Sequence, residues 1–537
     1  MNDFIVVGSG PSGAMAAQTL IEGGASVLML DVGAQDPNLY GDMVPDTDYV
    51  DIRESDPNQH EYFLGRNFEG IPWGAISVGA QLTPARRHVM NHVDEWLPLI
   101  SDNFRPMESL AYGGLGSAWA MGCYMFSRPE AERAGLPYDL LHDAYQTVSD
   151  RIGIAAEEND VSKYCIEGLA NLQPALEIDN SAETLFRRYR RKQRRLNHEG
   201  FFVGRPGLSI LTQDKGDRRG ETYNDMDLWT DRDKSGYRPW MTIDELKHLE
   251  RFNYVSGCLV LKFSENEEKV DVHVRRIDTG EDATFTARKL VLATGALGSA
   301  RIVLRSFDAY ETQIPLLCNP FCYIPCLQLG MIGTMLDRQK MSFVQLSMFH
   351  DRNHTHTDVA MASLFSYRSL LLFKLIKEAP LNYVDARIML QYLQSAFTVA
   401  AIHLPDAVAD GKYMKLVKDP ASRTGDKLYV DYRLSAAEAT EVRQREGKFK
   451  WALRTMGVYP IKTVKPGFGA SIHYAGTLPF DQSNEPLRIC RKSSRLQPTR
   501  NVYIADASGF QFLPAKGLTF SLMAYAHIVA QRALKND

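Results

Sequence analysis

The sequence predicts an α/β fold in two domains, and three observations predict it. The chain opens with a strand, a glycine-rich turn, a helix and a second strand that ends at Asp31. Strand ends punctuated by small residues recur at Ala293-Thr294-Gly295 and again at Asp506-Ala507. Between these points lie a run of short strands and a long stretch of strands mixed with apolar segments. Together they imply a Rossmann-like nucleotide-binding domain assembled from discontinuous segments, 1–135, 245–310 and 465–537. The remaining segments, 136–244 and 311–464, form an α+β substrate-binding domain with an antiparallel sheet.

Each element follows from the local pattern. Residues 4–7 are a short apolar run of strand length. A helix over 14–21 and a second strand over 26–30 complete a β-α-β unit. Residues 37–105 are polar and rich in Pro, Asp and Asn, which reads as loop. Small residues fill 111–120, and helices are predicted over 137–152 and 162–172. Residues 254–255, 258–263 and 270–276 read as antiparallel strands, with Asp278-Thr279-Gly280 as a turn. Two further strands are predicted at 284–286 and 289–292, then a helix over 299–304 opened by Gly295. Residues 311–464 mix strands with long apolar helices, and a last helix is predicted over 518–534.

Composition narrows the function classes. The chain has 537 residues, a net charge of −4 and a pI of about 6.4. That balance excludes nucleic acid as a general partner, because phosphate binding needs clustered cations. The seven cysteines are scattered. Cys318, Cys322 and Cys326 are spaced too widely for paired metal ligands, and Pro320 and Pro325 break any helix that would align them. They read as buried thiols, and no metal site is expected. No secretory signal pattern is visible, and no apolar run reaches the ~18–20 residues that span a bilayer. A cytoplasmic protein is expected.

The first motif is Val7-Gly8-Ser9-Gly10-Pro11-Ser12-Gly13, followed by Asp31. Gly8 permits a tight strand-to-helix turn, Gly10 lets the backbone approach a pyrophosphate, and Gly13 lets helix and strand pack closely. The helix N-terminus then offers free N–H groups to phosphates. Asp31 stands where a carboxylate accepts from an adenosine ribose and would repel a 2′-phosphate, which favours FAD or NAD over NADP. The second motif, Ala293-Thr294-Gly295, ends a strand that follows the meander of 258–286. The third, Asn501-Val502-Tyr503-Ile504-Ala505-Asp506-Ala507, precedes the final helix.

With these motifs on the page, the chain resembles the glucose–methanol–choline (GMC) oxidoreductases, flavin enzymes that oxidise alcohols. The resemblance covers both ends and the 250–305 segment. Gly113-Gly114-Leu115-Gly116-Ser117-Ala118-Trp119 is similar to the family's glycine-rich segment against the flavin. Trp119 and Glu250-Arg251-Phe252-Asn253 look most like the pyranose-oxidase branch. There the residue matching Ala118 is a histidine bonded covalently to FAD, so the resemblance implies non-covalent FAD here. It also places Cys258 and Val260 against the adenine. Ser471-Ile472-His473-Tyr474-Ala475-Gly476-Thr477 resembles the family's H-x-x-G-T segment, whose histidine faces flavin and substrate. An imidazole suits that role, since its ordinary pKa near 6.5 lets it accept a hydroxyl proton at neutral pH.

The family places a second His or Asn before the last helix. Here that segment reads Leu513-Pro514-Ala515-Lys516-Gly517-Leu518-Thr519, with neither residue type. Gly517 and Leu518 are assigned to the cofactor, and Lys516 is expected either to face the substrate or to hold the pyrophosphate. On the substrate side, Trp73, Tyr112, Trp119 and Tyr474 are candidates to stack a sugar ring. Residues 369–376 and 387–404 are apolar, with Arg368, Lys374 and Lys377 in or beside the first. They read as core helices, or as a peripheral membrane contact through 368–404. The substrate implied is an alcohol or sugar-like small molecule, with the electron acceptor open. A lyase or decarboxylase of the same fold, and a non-catalytic flavin protein, are the competing readings.

Overall fold

β1 (Asn2–Val7) and β2 (Val27–Leu30) are apolar strands joined by α1 (Pro11–Glu22). The computed structural model describes residues 1–35, 88–223, 233–335, 344–366, 382–481 and 486–535, with isolated positions at 55, 56, 58, 231 and 337. β1 is central in a sheet of seven strands. On one side β2 and then β3 (Phe252–Val255) run parallel to it, in register at Val7↔Leu30 and Leu30↔Val255. β4 (Cys258–Glu265), β5 (Val270–Arg276) and β6 (Asp282–Leu292) form an antiparallel meander. β6 then crosses into the parallel layer and pairs with β1 at Val7↔Leu292. The short strand Val502–Ile504 flanks β6, again parallel.

Two strand expectations change. The segment 254–255 belongs to β3, which pairs parallel with β2 and not antiparallel within the meander. The strands expected at 284–286 and 289–292 are one strand of 11 residues. Its first half is half-exposed beside β5, and its end is buried on both faces between β1 and Val502–Ile504. The change of partner at Ala287 looks like a break in local patterning but is none in the backbone.

The second sheet has six strands. Its core is β7 (Phe321–Leu327), β8 (Leu346–Asp351), β9 (Val359–Ser366) and β10 (Phe397–His403), all antiparallel, with β10 between β7 and β9. Phe201–Gly204 and Tyr459–Pro460 close its edges. The even-numbered residues of β7, β9 and β10 point to one face, among them Cys322, Ile324, Ala362 and Ile402. They pack against Leu185 and Phe186 of helix Asn180–His198 and Phe449 and Leu453 of helix Ala436–Thr455. The period-2 alternation of strand side chains leaves the odd-numbered residues for the opposite face.

Two more expectations are corrected. The helix expected over 162–172 is one turn, Ser162–Cys165, and Gly168 turns the chain with φ +75°. The apolar stretch 387–404 is not one core helix. Helix Tyr383–Leu393 ends it as a helix, with Val384, Ile388 and Tyr392 exposed, and β10 takes over as a buried strand. Phe397–His403 carries β-branched and aromatic residues at its start, and sheet pairing on both sides satisfies its backbone. The segment 369–376, with Arg368, Lys374 and Lys377, lies outside the described residues, as does Trp73. Among the described residues no helix is long and apolar enough to cross a membrane, and no group of three His, Cys, Asp or Glu is placed to hold a metal ion.

Candidate active site

A cavity of about 600 Å³ lies between the carboxyl ends of the parallel strands and the odd-numbered face of the second sheet. Three helices begin on its wall. Gly10, Pro11 and Ser12 open α1, Thr294, Gly295 and Ala296 open α2 (Gly295–Ser306), and Gly517, Leu518 and Thr519 lead into α3 (Thr519–Lys535). Neither α1 nor α2 has a side-chain cap, and none of the three has an acidic residue in its first turn. The dipoles of the three helices point their positive ends at this wall, and at α2 the Gly295 N–H is already taken by the buried Asp506 carboxylate. A Cβ built on Gly10 or Gly295 meets no atom within 4 Å, so both backbones look onto open space. An elongated diphosphate ligand fits such a cradle.

Two glycines serve the turn itself. Gly8 has φ +97°, and a Cβ on Gly13 would stand 1.8 Å from the Gly8 carbonyl oxygen. Gly13, Gly113 and Ser117 do not line the cavity. The Gly113 N–H donates to Ser9 Oγ at 2.9 Å, and Ser117 Oγ donates to the Tyr112 carbonyl at 2.7 Å. These bonds shape the short turn Gly114–Ala118, from which Gly114, Ala118 and the next residue, Trp119, reach the wall.

At one end of the cavity stand Asp31, Cys258 and Val260. The hydroxyls of Ser9 and Tyr254 donate to Asp31 Oδ2, the latter at 3.1 Å. Burial pushes the Asp31 carboxyl up to about 6, against the pull of those donors. Ala293 and Ala507 line the middle with Asp506. Asp506 is already engaged: Oδ2 accepts from Ser299 Oγ at 2.5 Å, and Oδ1 accepts from the Ser508 N–H at 3.0 Å. It fastens α2 to the turn at 507–509.

At the other end His473 faces the second sheet. The short strands Leu317–Cys318 and Tyr474–Ala475 pair antiparallel, with Cys318 opposite Tyr474. One step further along the same ladder Asn319 meets His473, and Nδ1 of the ring lies 2.9 Å from Asn319 Oδ1. Ile472, just before, has φ +63°, a left-handed conformation that costs a β-branched residue energy and aims the histidine into the cavity. His403, from the end of β10, stacks on His473 with ring centroids 5.1 Å apart. Burial lowers the His473 pKa to about 4 and holds His403 well below the ordinary range, so both rings are neutral at pH 7. Beside them the odd-numbered residues Phe321, Tyr323, Met361, Phe365, Val399 and Ala401 form an uncharged chamber wall.

Lys516 is a correction. It does not line the cavity, although Gly517 and Leu518 do. Its ammonium is sealed from solvent, donating to the Met125 carbonyl at 2.8 Å and pairing with Glu130 at 2.7 Å. The chain bends at Ala515 and Lys516 on its way into α3, and the Lys516 side chain lies on the side away from the cavity that Gly517 and Leu518 line. Of the aromatic candidates, Trp119 and Tyr474 line the cavity. Tyr112 does not, and its hydroxyl donates to Asp244 at 2.7 Å. Sequence reasoning missed Asn319 and His403. Nothing local marks Asn319, and His403 ends an apolar run with no motif around it.

No protein-family model matches the sequence, and no curated protein matches it. Solved structures do. One is pyridoxine 4-oxidase from Mesorbium loti, with a TM-score of 0.57 and 14% identity over 99% of each chain. At that identity the likeness concerns the fold alone and singles out no branch. The chain shares the fold of that oxidase.

Proposed function

We propose that this protein is an FAD-dependent oxidoreductase that converts a CH–OH group to a carbonyl. The observation that carries this reading is the meeting, in one cavity, of three helix N-termini with a buried, neutral imidazole. Gly8, Gly10, Pro11 and Ser12 would hold the pyrophosphate, with Gly13 keeping the turn tight. Asp31 would accept from the adenosine ribose, and Cys258 and Val260 would flank the adenine. Gly114, Ala118, Trp119, Ala293, Thr294, Gly295, Asp506, Ala507, Gly517 and Leu518 would surround the rest, with Gly113 and Ser117 supporting them from behind. Ala118 has no nucleophile, so attachment is non-covalent. FAD, when bound there, supplies a hydride acceptor.

The residues of the chain then handle the proton. His473 takes the substrate hydroxyl proton as general base, which makes the carbon a better hydride donor. Because burial lowers its pKa to about 4, the base form persists across the neutral range and is lost only as pH falls through that value. The chamber wall beside it carries no charged side chain among its described residues, which suits a neutral alcohol. Its aromatic faces suit a sugar ring or glycoside.

The test is optical. Purified protein should show flavin bands that move to the supernatant on acid precipitation, and a substrate alcohol should bleach them without oxygen. His473→Ala should keep the bands and slow bleaching by ~10²–10⁴-fold. A protein that takes up no flavin, or a variant that bleaches at the parent rate, would overturn the reading.

A further inference from the structure

We propose that Asn319 is a positioning residue that locks His473 into one tautomer, with the proton on Nδ1 and the Nε2 lone pair facing the cavity. Asn319 is buried at the junction of three segments. Its Nδ2 lies 2.8 Å from the Leu404 carbonyl oxygen, 3.1 Å from that of Pro514 and 3.4 Å from that of Leu513. All three are acceptors only, so the amide nitrogen must face them. The reversed amide would set an oxygen against three oxygens. The orientation is therefore decided without reference to the histidine.

The consequence falls on the ring. With Nδ2 committed to the carbonyls, Oδ1 is what meets His473 Nδ1 at 2.9 Å, and an oxygen can only accept. The neutral imidazole must then carry its proton on Nδ1. Nε2 has no hydrogen-bond partner among the described residues, and unlike Nδ1 of His403 it is not a sealed, unpartnered atom. It is the ring nitrogen open to the cavity. Burial keeps the ring uncharged at neutral pH, so a single protonation state and a single tautomer meet the substrate.

The surroundings support the same state. His403, stacked on the ring from β10, is neutral and brings no charge. Behind Asn319, Asp406 accepts from the Cys318 N–H at 2.9 Å, and its charge is matched by Lys412 at 2.5 Å. Among the described residues no carboxylate touches the imidazole. An amide in that place orients the ring without raising its basicity, where an aspartate would do both.

The value of this lock for catalysis rests on His473 being the proton acceptor, but the tautomer does not. It is read directly from ring-nitrogen shifts of ¹⁵N-histidine-labelled protein at pH 7, with His473→Ala identifying the resonances. The parent should show a protonated Nδ1 and a bare Nε2. Asn319→Ala should show both tautomers, and alcohol-driven flavin bleaching should slow by ~10–100-fold with little change in substrate affinity. Asn319→Asp, with the carboxyl oxygen against the three carbonyls protonated, donates there as Nδ2 does and keeps its other oxygen for Nδ1, so it should restore the Nδ1–H pattern. A parent protonated on Nε2, or an Asn319→Ala ring that keeps the pure Nδ1–H pattern, overturns the proposal. If Asn319→Ala does not fold, the parent spectrum alone decides. A correct tautomer in a protein that oxidises no alcohol would leave the lock standing and remove only the reading of the site.

Discussion

Asp31 holds its charge at a cost to the empty fold. Its carboxyl is raised to about 6 by burial, from an ordinary 3.8. A raised acid means that the folded state binds the proton more tightly than the unfolded state. Below pH 3.8 both states are protonated and the cost is absent. It grows between about 4 and 6 and is complete above 6, where it reaches on the order of 3 kcal/mol. Ribose hydroxyls donating to the carboxylate would relieve it. Asp31→Asn keeps an acceptor for Ser9 and Tyr254 but carries no charge. The cofactor-free variant should therefore resist urea better than the parent at pH 7.5 and equally at pH 4, while binding FAD more weakly. A stability difference that does not change with pH would show that Asp31 is comfortable where it stands. The same residue was legible in the sequence because the distance from the glycine turn to the end of β2 is set by one helix and one strand. Tyr254, its second donor, was not, since β3 reaches Asp31 only through tertiary pairing.

At the scale of elements, the pair Lys516–Glu130 joins the approach to α3 to the helix Arg128–Ala134. Glu130 is the third residue of that helix and accepts from the Ser127 N–H at 2.9 Å in a capping box. Both charges are sealed from water. Removing one partner strands the other, so Lys516→Met should cost about 3–5 kcal/mol, and Glu130→Leu added to it should recover most of the loss. The fraction that folds should bleach flavin at the parent rate. A stable Lys516→Met protein with slow bleaching would instead restore the lysine to the chemistry. Other elements divide in the same way between local and tertiary causes. β1, α1 and β2 were readable because their signals, an apolar run and a glycine turn, lie within the elements themselves. The unity of β6 was hidden because its environment changes halfway, from a half-exposed ladder to a doubly buried one. The end of the turn at Ser162–Cys165 was hidden because Gly168, a weak breaker in sequence, takes a left-handed conformation there.

Across the whole molecule, the site exists only where distant segments close on one another. Asn319 touches carbonyls near positions 404 and 514 and a ring at 473, and no window of sequence contains that triangle. The glycine motifs carried their own geometry, which is why the diphosphate cradle could be read and the setting of the imidazole could not. Closure also buries histidines at separate points, with a common consequence. Burial lowers His350, stacked on Phe201, to about 3, and His473 and His527 each to about 4. His527 sits between α3 and α1, with Nδ1 2.8 Å from Thr19 Oγ1. For each, the folded pKa lies below the ordinary 6.5, so the unfolded chain takes up the proton first. Stability is intact above 6.5 and is lost as pH falls toward 4. At pH 5 each histidine forfeits ~2 kcal/mol, while Asp31, shifted the other way, returns ~1 kcal/mol. The three histidines outweigh Asp31, and His403, held low as well, adds in the same direction, so the cofactor-free protein should lose stability between pH 7 and pH 5. Urea midpoints measured across that range should fall steeply, and His350→Phe should flatten the slope by about one proton. A midpoint unchanged down to pH 5 would mean that these rings are hydrated in the folded state and that the packing around all three is looser than described.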